Sequence, residues 1–143
     1  MPDIRHAISI AAAPTRILPL ISSADGFKQW WAADVTEDNS TKIVDLSFYK
    51  GATIYRLAPV RDTPPAEVAW LCETGEEWKG TKLQFQWTFD QTNTQLRFTH
   101  AGWQSETDYF IRCNTTWGAL MFRLKEAAEG KGLGPLFRTY GLD

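Results

Sequence analysis

Two cysteines and two histidines are all that this chain of 143 residues offers a soft metal ion, and no two of them are closely spaced. That excludes the ligand spacing of zinc modules. No apolar run approaches the roughly 18 residues of a membrane span, and no secretory leader opens the chain; the expected compartment is the cytoplasm. Charge is nearly balanced, at a net −2, and the basic residues are scattered. Neither nucleic acid nor an anionic membrane therefore has an electrostatic claim on the molecule. Gly-x-Ser-x-Gly, His-Glu-x-x-His, Cys-x-x-Cys and phosphate-cradling glycine loops are all absent, so no cofactor, metal or catalytic set is expected. Cys72 and Cys113 read as small buried apolar residues. A disulfide between them needs a fold that brings them together and an oxidising compartment.

What is present is apolar and aromatic. Hydrophobic residues make up 43% of the chain, seven of them tryptophan, which suits one domain over 1–143 with one core. Tryptophan is bulky and needs a partner for its N–H when buried. Seven of them build either a large aromatic core or, in part, the lining of a ligand pocket.

The pattern along the chain gives the order of elements. Asp3 to Ile10 reads as a strand, with Ile4, Ile8 and Ile10 on its apolar side. Pro14 opens a short helix carrying Ile17, Leu18 and Ile21, and Pro19 keeps it short or irregular. A second short helix is expected over Phe27 to Trp31. Strands follow at Ala33–Glu37, Thr41–Phe48, Ala52–Val60, Ala66–Glu73 and Thr81–Asp90, separated by turn residues. Leu83, Phe85, Trp87 and Phe89 alternate with polar residues, as on a sheet covered on one side. In the last strand, Gln95 to Trp103, Leu96, Phe98 and His100 share the inner face. Within Ala52–Val60 either Ile54 and Arg56 or Tyr55 and Leu57 face inward. From Tyr109 to Ala128, Phe110, Cys113, Trp117, Leu120, Met121, Leu124 and Ala128 recur at helical spacing. Ser105 is the expected cap, Glu106 and Asp108 suit the first turn, and Gly130 and Gly132 end the helix. The sum is an α+β fold: a curved antiparallel sheet around one long C-terminal helix. One helix cannot fill such a sheet, and the remainder is a natural cavity.

Three stretches resemble a known family. Ile8-Ser9-Ile10 with Ala13-Pro14 and Trp30-Trp31, Phe98-Thr99-His100-Ala101-Gly102-Trp103, and Trp117-Gly118-Ala119-Leu120 with Leu124-Lys125-Glu126 occur in the order seen in the SRPBCC (START-like) superfamily. Within it, the chain is most similar to proteins named after the C-terminal domain of the activator of heat-shock protein 90 ATPase. The resemblance implies the helix-grip fold shared with the birch-pollen allergens. The family's mid-chain hairpin is glycine-rich, whereas Asp45 to Ala52 holds only Gly51; Pro19 is also atypical. A separate N-terminal domain, such as the eukaryotic chaperone activators carry, is not expected.

The resulting expectation is a binder of a hydrophobic or aromatic small molecule between sheet and C-terminal helix. Trp30, Trp70, Trp87, His100, Trp103, Tyr109, Cys113 and Trp117 are the expected lining. His100 is either a core histidine bonded to Trp103, Tyr109 or backbone, or a polar anchor or general base oriented by Glu73, Asp108 or Tyr109. Arg56 and Arg112 either meet a ligand carboxylate or are surface cations. An aromatic polyketide cyclase or hydrolase on the same scaffold, and a co-chaperone that stimulates the ATPase of a chaperone partner, are the alternatives. A homodimer is compatible with all three. A dry void of ~300 Å3 would destabilise the domain by roughly 7 kcal/mol. A large cavity is therefore expected to hold ligand or water, or else to be smaller than the family implies.

Overall fold

A computed structural model describes residues 1–138. Its elements are β1 (Ile4–Ile10), α1 (Pro14–Ile21), α2 (Ala24–Phe27), β2 (Val35–Glu37), β3 (Val44–Phe48), β4 (Thr53–Val60), β5 (Glu67–Cys72), β6 (Lys82–Phe89), β7 (Thr94–Ala101) and α3 (Asp108–Ala128). The strands form one antiparallel sheet in the order β1-β7-β6-β5-β4-β3-β2. The long helix lies in its concave face, which is the helix-grip arrangement. Among the described residues no helix is long and apolar enough to cross a membrane.

Helix α3 buries the seven residues expected from its periodicity, Phe110 through Ala128. Its start differs from expectation. Thr107, not Ser105, is the cap, accepting from the Phe110 N–H at 3.1 Å, so Glu106 lies outside the first turn and Asp108 alone meets the positive end of the helix dipole. Helix α2 also shifts. Ser23 caps it through the Gly26 N–H, and Trp30 and Trp31 fall in the turn that follows. In α1 the buried set is Ile17, Leu20 and Ile21, with Leu18 only half-buried. The ambiguity in β4 resolves toward Tyr55 and Leu57. Both sit opposite inward residues of β3, Tyr55 facing Leu46 and Leu57 facing Val44, while Ile54 and Arg56 point to solvent. At the far end of β6, Trp87 is half-buried and Phe89 is 46% exposed, because the strand runs past the cover of the helices. Cys72 and Cys113 are both free thiols.

Two tryptophans serve α1. The last carbonyls of a helix lack intrahelical donors. Here the Trp30 N–H donates to the Leu20 carbonyl at 2.7 Å and the Trp70 N–H to the Ile21 carbonyl at 2.9 Å. The helix is thus closed by indoles from elsewhere in the chain. Either carbonyl, left unpaired in the core, would cost roughly 1–3 kcal/mol.

Candidate functional site

Seven strands spaced ~4.8 Å apart span roughly 29 Å, whereas a helix is about 10 Å wide. Helix α3 leans on β1 and α1, and the uncovered space lies between its first turns and the β3–β4 hairpin. There a cavity of about 320 Å3 is lined by Phe48, Tyr55, Trp78, Tyr109, Cys113 and Trp117, with Trp31, Leu120 and Phe137 completing its apolar wall. Tyr49 and Arg112, both exposed, stand at its mouth with Thr53 and Thr116.

The walls are ring faces. Tyr55 stacks on Trp78 with centroids 4.1 Å apart and planes 18° off parallel. Trp78 and Trp117 lie within 21° of parallel at 6.1 Å. Phe48 meets the edge of Phe137 at 5.0 Å. Gly75 makes the first stack feasible: a Cβ there would come within 2.6 Å of the Tyr55 ring, and its φ of +101° suits glycine. The far wall is held by the chain after α3. Phe137 exchanges backbone hydrogen bonds with Trp31 and Ala33, and the Arg123 guanidinium gathers the carbonyls of Leu133, Gly134 and Pro135.

Inside this apolar shell the Tyr55 and Tyr109 hydroxyls share a short hydrogen bond. Burial raises both phenols above their ordinary value, and Tyr109 is raised further by the bond to Tyr55. Burial likewise raises the Cys113 thiol, although the Trp78 N–H and the Tyr109 hydroxyl pull it the other way. The Trp78 N–H is thus close to the sulfur, yet it makes no hydrogen bond of full geometry. All of these groups keep their protons at neutral pH.

His100 stands behind the wall rather than in it. Its ring is fully buried, edge-on to Trp78 at 4.7 Å. Nδ1 accepts from the Trp117 N–H at 3.1 Å, which leaves the proton on Nε2 to donate to Thr81 Oγ1 at 2.8 Å. The Thr81 hydroxyl in turn donates to the Trp78 carbonyl at 2.5 Å. Burial lowers the His100 pKa to about 3. The imidazole is therefore neutral, with both nitrogens engaged, and positions Trp117 and the Trp78 loop. Its partners are Thr81 and Trp117, not Glu73, Asp108 or Tyr109, and this geometry leaves no lone pair for a general base.

Of the eight residues expected from sequence, Tyr109, Cys113 and Trp117 line the cavity. Trp30, Trp70 and Trp103 are core residues and Trp87 lies along the sheet; with His100, they stay outside the lining. Trp103 packs on His100 and Phe110. Arg56 is held by Asp45 in a two-pronged pair at 2.8 and 3.0 Å on the outer surface, so of the two arginines Arg112 is the one at the cavity. Trp31, Phe48, Tyr55, Trp78 and Phe137 were not singled out as lining. Three of them carried a signal: Trp78 as a large aromatic in the turn between Gly75 and Gly80, Trp31 as the second residue of the Trp30-Trp31 pair, and Tyr55 as one of the candidate inward residues of its strand.

No family model matches the chain. No curated protein matches it. Solved structures do. The Aha1 dimer from Colwellia psychrerythraea is 30% identical, with a TM-score of 0.77 over 92% of this chain and 98% of that one. Protein MLL2253 from Mesorhizobium loti shares the fold at 11% identity, with a TM-score of 0.73 over 90% of this chain and 97% of that one. CalU16 from Micromonospora echinospora does so at 14% identity, with a TM-score of 0.72 over 92% of this chain and 68% of that one.

Proposed function

Because the chain belongs to the Aha1-like (AHSA-type) family of the SRPBCC superfamily, we propose that it binds an apolar or aromatic small molecule in the cavity between β3–β4 and α3, as a protein of the cytoplasm. The observation that carries this reading is a 320 Å3 space walled by stacked aromatic rings and reaching solvent past Tyr49 and Arg112. Such a volume lies at the lower end of small-molecule sites, and the mix of many apolar walls with few polar groups is typical of them. A ligand at a hundredfold excess over its Kd adds about 2.7 kcal/mol to folding. Thermal unfolding in the presence of polyaromatic, sterol and fatty-acid compounds is therefore expected to shift upward by several degrees with at least one class. A melting curve unmoved by every class would end this reading.

A second reading is self-association, favoured by the dimeric state of the Colwellia relative. On the outer face of α3, Ile111 and Phe122 are 54% and 60% exposed, and Thr115 and Ala119 lie between them on one helical stripe. We place the contact on this stripe. Sedimentation at micromolar concentration is expected to show a dimer that Phe122→Asp returns to monomer; a wild-type monomer throughout that range would refute it.

A further inference from the structure

The cavity separates polarity by depth. Its interior carries no charge: the lining holds no carboxylate, and the Tyr55 and Tyr109 hydroxyls bond to each other. An ionised group drawn into that shell would lose its hydration with nothing to replace it. Any charge on a guest therefore stays at the opening. The one charged residue of the lining, Arg112, stands there with its side chain exposed. Asp108 lies one turn earlier on α3, in the order that favours a helical ion pair. Yet among the described residues no ion pair or hydrogen bond engages the Arg112 side chain. Glu77, whose charge reaches Cys113 as that of Arg112 does, accepts instead from the Thr107 hydroxyl at 2.5 Å. Arg123, by contrast, is occupied by the carbonyls that follow α3. Beside Arg112 the rim carries Thr53 and Thr116, both half-buried, whose hydroxyls can donate to an oxyanion.

Resting on the cavity reading above, we propose that the ligand is an aromatic anion, seated with its rings inside the aromatic shell and its acidic group at the mouth on Arg112. The guanidinium offers a planar fork of N–H donors that matches a carboxylate. The pairing takes place at the edge of the apolar shell, where the anion keeps part of its hydration and Arg112 gives up no partner. The same rim disfavours a cationic guest, whose ammonium would come to rest beside the guanidinium with no carboxylate in the lining to meet it. Arg112 thus sets the sign of the charge that the site accepts, and the ring walls set the body.

Three naphthalenes of similar shape test this by calorimetric titration at neutral pH: 2-naphthoate, its uncharged isostere 2-naphthamide, and 2-naphthylmethylammonium. The carboxylate is expected to bind about fivefold tighter than the amide, as one exposed ion pair gives, and the ammonium weakest. Raising sodium chloride from about 0.02 M to about 0.5 M is expected to bring carboxylate and amide within about twofold of each other. Arg112→Gln is expected to do the same at low salt, and Arg112→Glu to reverse the order of carboxylate and ammonium; urea midpoints report that both variants are folded. Binding of the three compounds with equal affinity overturns the charge selection and leaves the cavity reading standing. A carboxylate preference that survives in folded Arg112→Gln overturns the assignment to Arg112. Failure of all three to bind removes aromatic guests from the cavity reading and this proposal with them. The wild-type ranking and its salt dependence decide the matter independently of how well either variant folds.

Discussion

Lowering the pH from 8 to 5 is expected to cost the folded protein about 2 kcal/mol through His100 alone. The imidazole is neutral in the fold, where its pKa is lowered by burial to about 3, and it titrates near 6.5 in the unfolded chain. Between those values the unfolded state binds one more proton than the native state. Stability therefore rises with pH: the contribution is fully present above about 6.5 and is lost progressively as the pH falls toward 3. Protonation would also turn Nδ1 from acceptor to donor against the Trp117 N–H. The hydrogen-bonded carboxylates Asp38 and Asp90, and Glu129 beside Lys125, have lowered values and lose their contributions at still lower pH. The window above pH 5 thus lies outside the range of these carboxylates. Urea unfolding from pH 8 to 5 is expected to show this slope in the wild type and a flatter one in His100→Gln. Parallel slopes for the two proteins would contradict the buried neutral ring.

Gly26→Ala is expected to destabilise the protein by about 3 kcal/mol, a large share of the ~5–15 kcal/mol that holds a domain folded. A Cβ at Gly26 would lie 2.0 Å from the Pro19 carbonyl oxygen and 2.7 Å from the Leu20 Cα. These are backbone atoms, so no rotamer relieves the clash, and α1 would have to move off α2. That displacement would pull the Leu20 and Ile21 carbonyls from the Trp30 and Trp70 indoles. Gly118→Ala serves as the contrast. It sits within α3, and its added methyl would meet only the His6 ring at an ordinary 3.5 Å. Helix propensity then favours alanine by up to about 1 kcal/mol. Denaturant midpoints of the two variants are expected to move in opposite directions. A Gly26→Ala protein as stable as its parent would refute the close crossing of α1 and α2.

Local periodicity carried the architecture. The α3 face and the inner faces of β6 and β7 follow from spacings of three to four and of two, and each of these is decided within a few residues. The orientation of β4 was not legible there, because its outer face holds Ile54 and its inner face Tyr55; the register against Leu46 and Val44 decides it. The site was legible only where it lies on α3, at Tyr109, Cys113 and Trp117. Its other walls converge from Trp31, Phe48, Tyr55, Trp78 and Phe137, and only the three-dimensional path brings these together. The tryptophans that lie outside this lining show the same limit. Trp70 spends its N–H on Ile21, 49 residues away, and no spacing rule reports such a contact. His100 was correctly placed on the inner face, but Thr81, its partner, lies just before the first residue of β6 and looked like a strand end.

One side of the cavity is a strap, not a strand. Phe137 and its neighbours are fastened by three backbone bonds to Trp30, Trp31 and Ala33 and by the grip of Arg123 on the preceding carbonyls. Peeling that strap away leaves every rung of the sheet intact, so it belongs to the cheapest openings available to the molecule. A guest of the proposed site would enter past Tyr49 and Arg112, and loosening of the Leu136 and Phe137 amides would enlarge the space around it without drawing on the global stability that His100 and Gly26 defend.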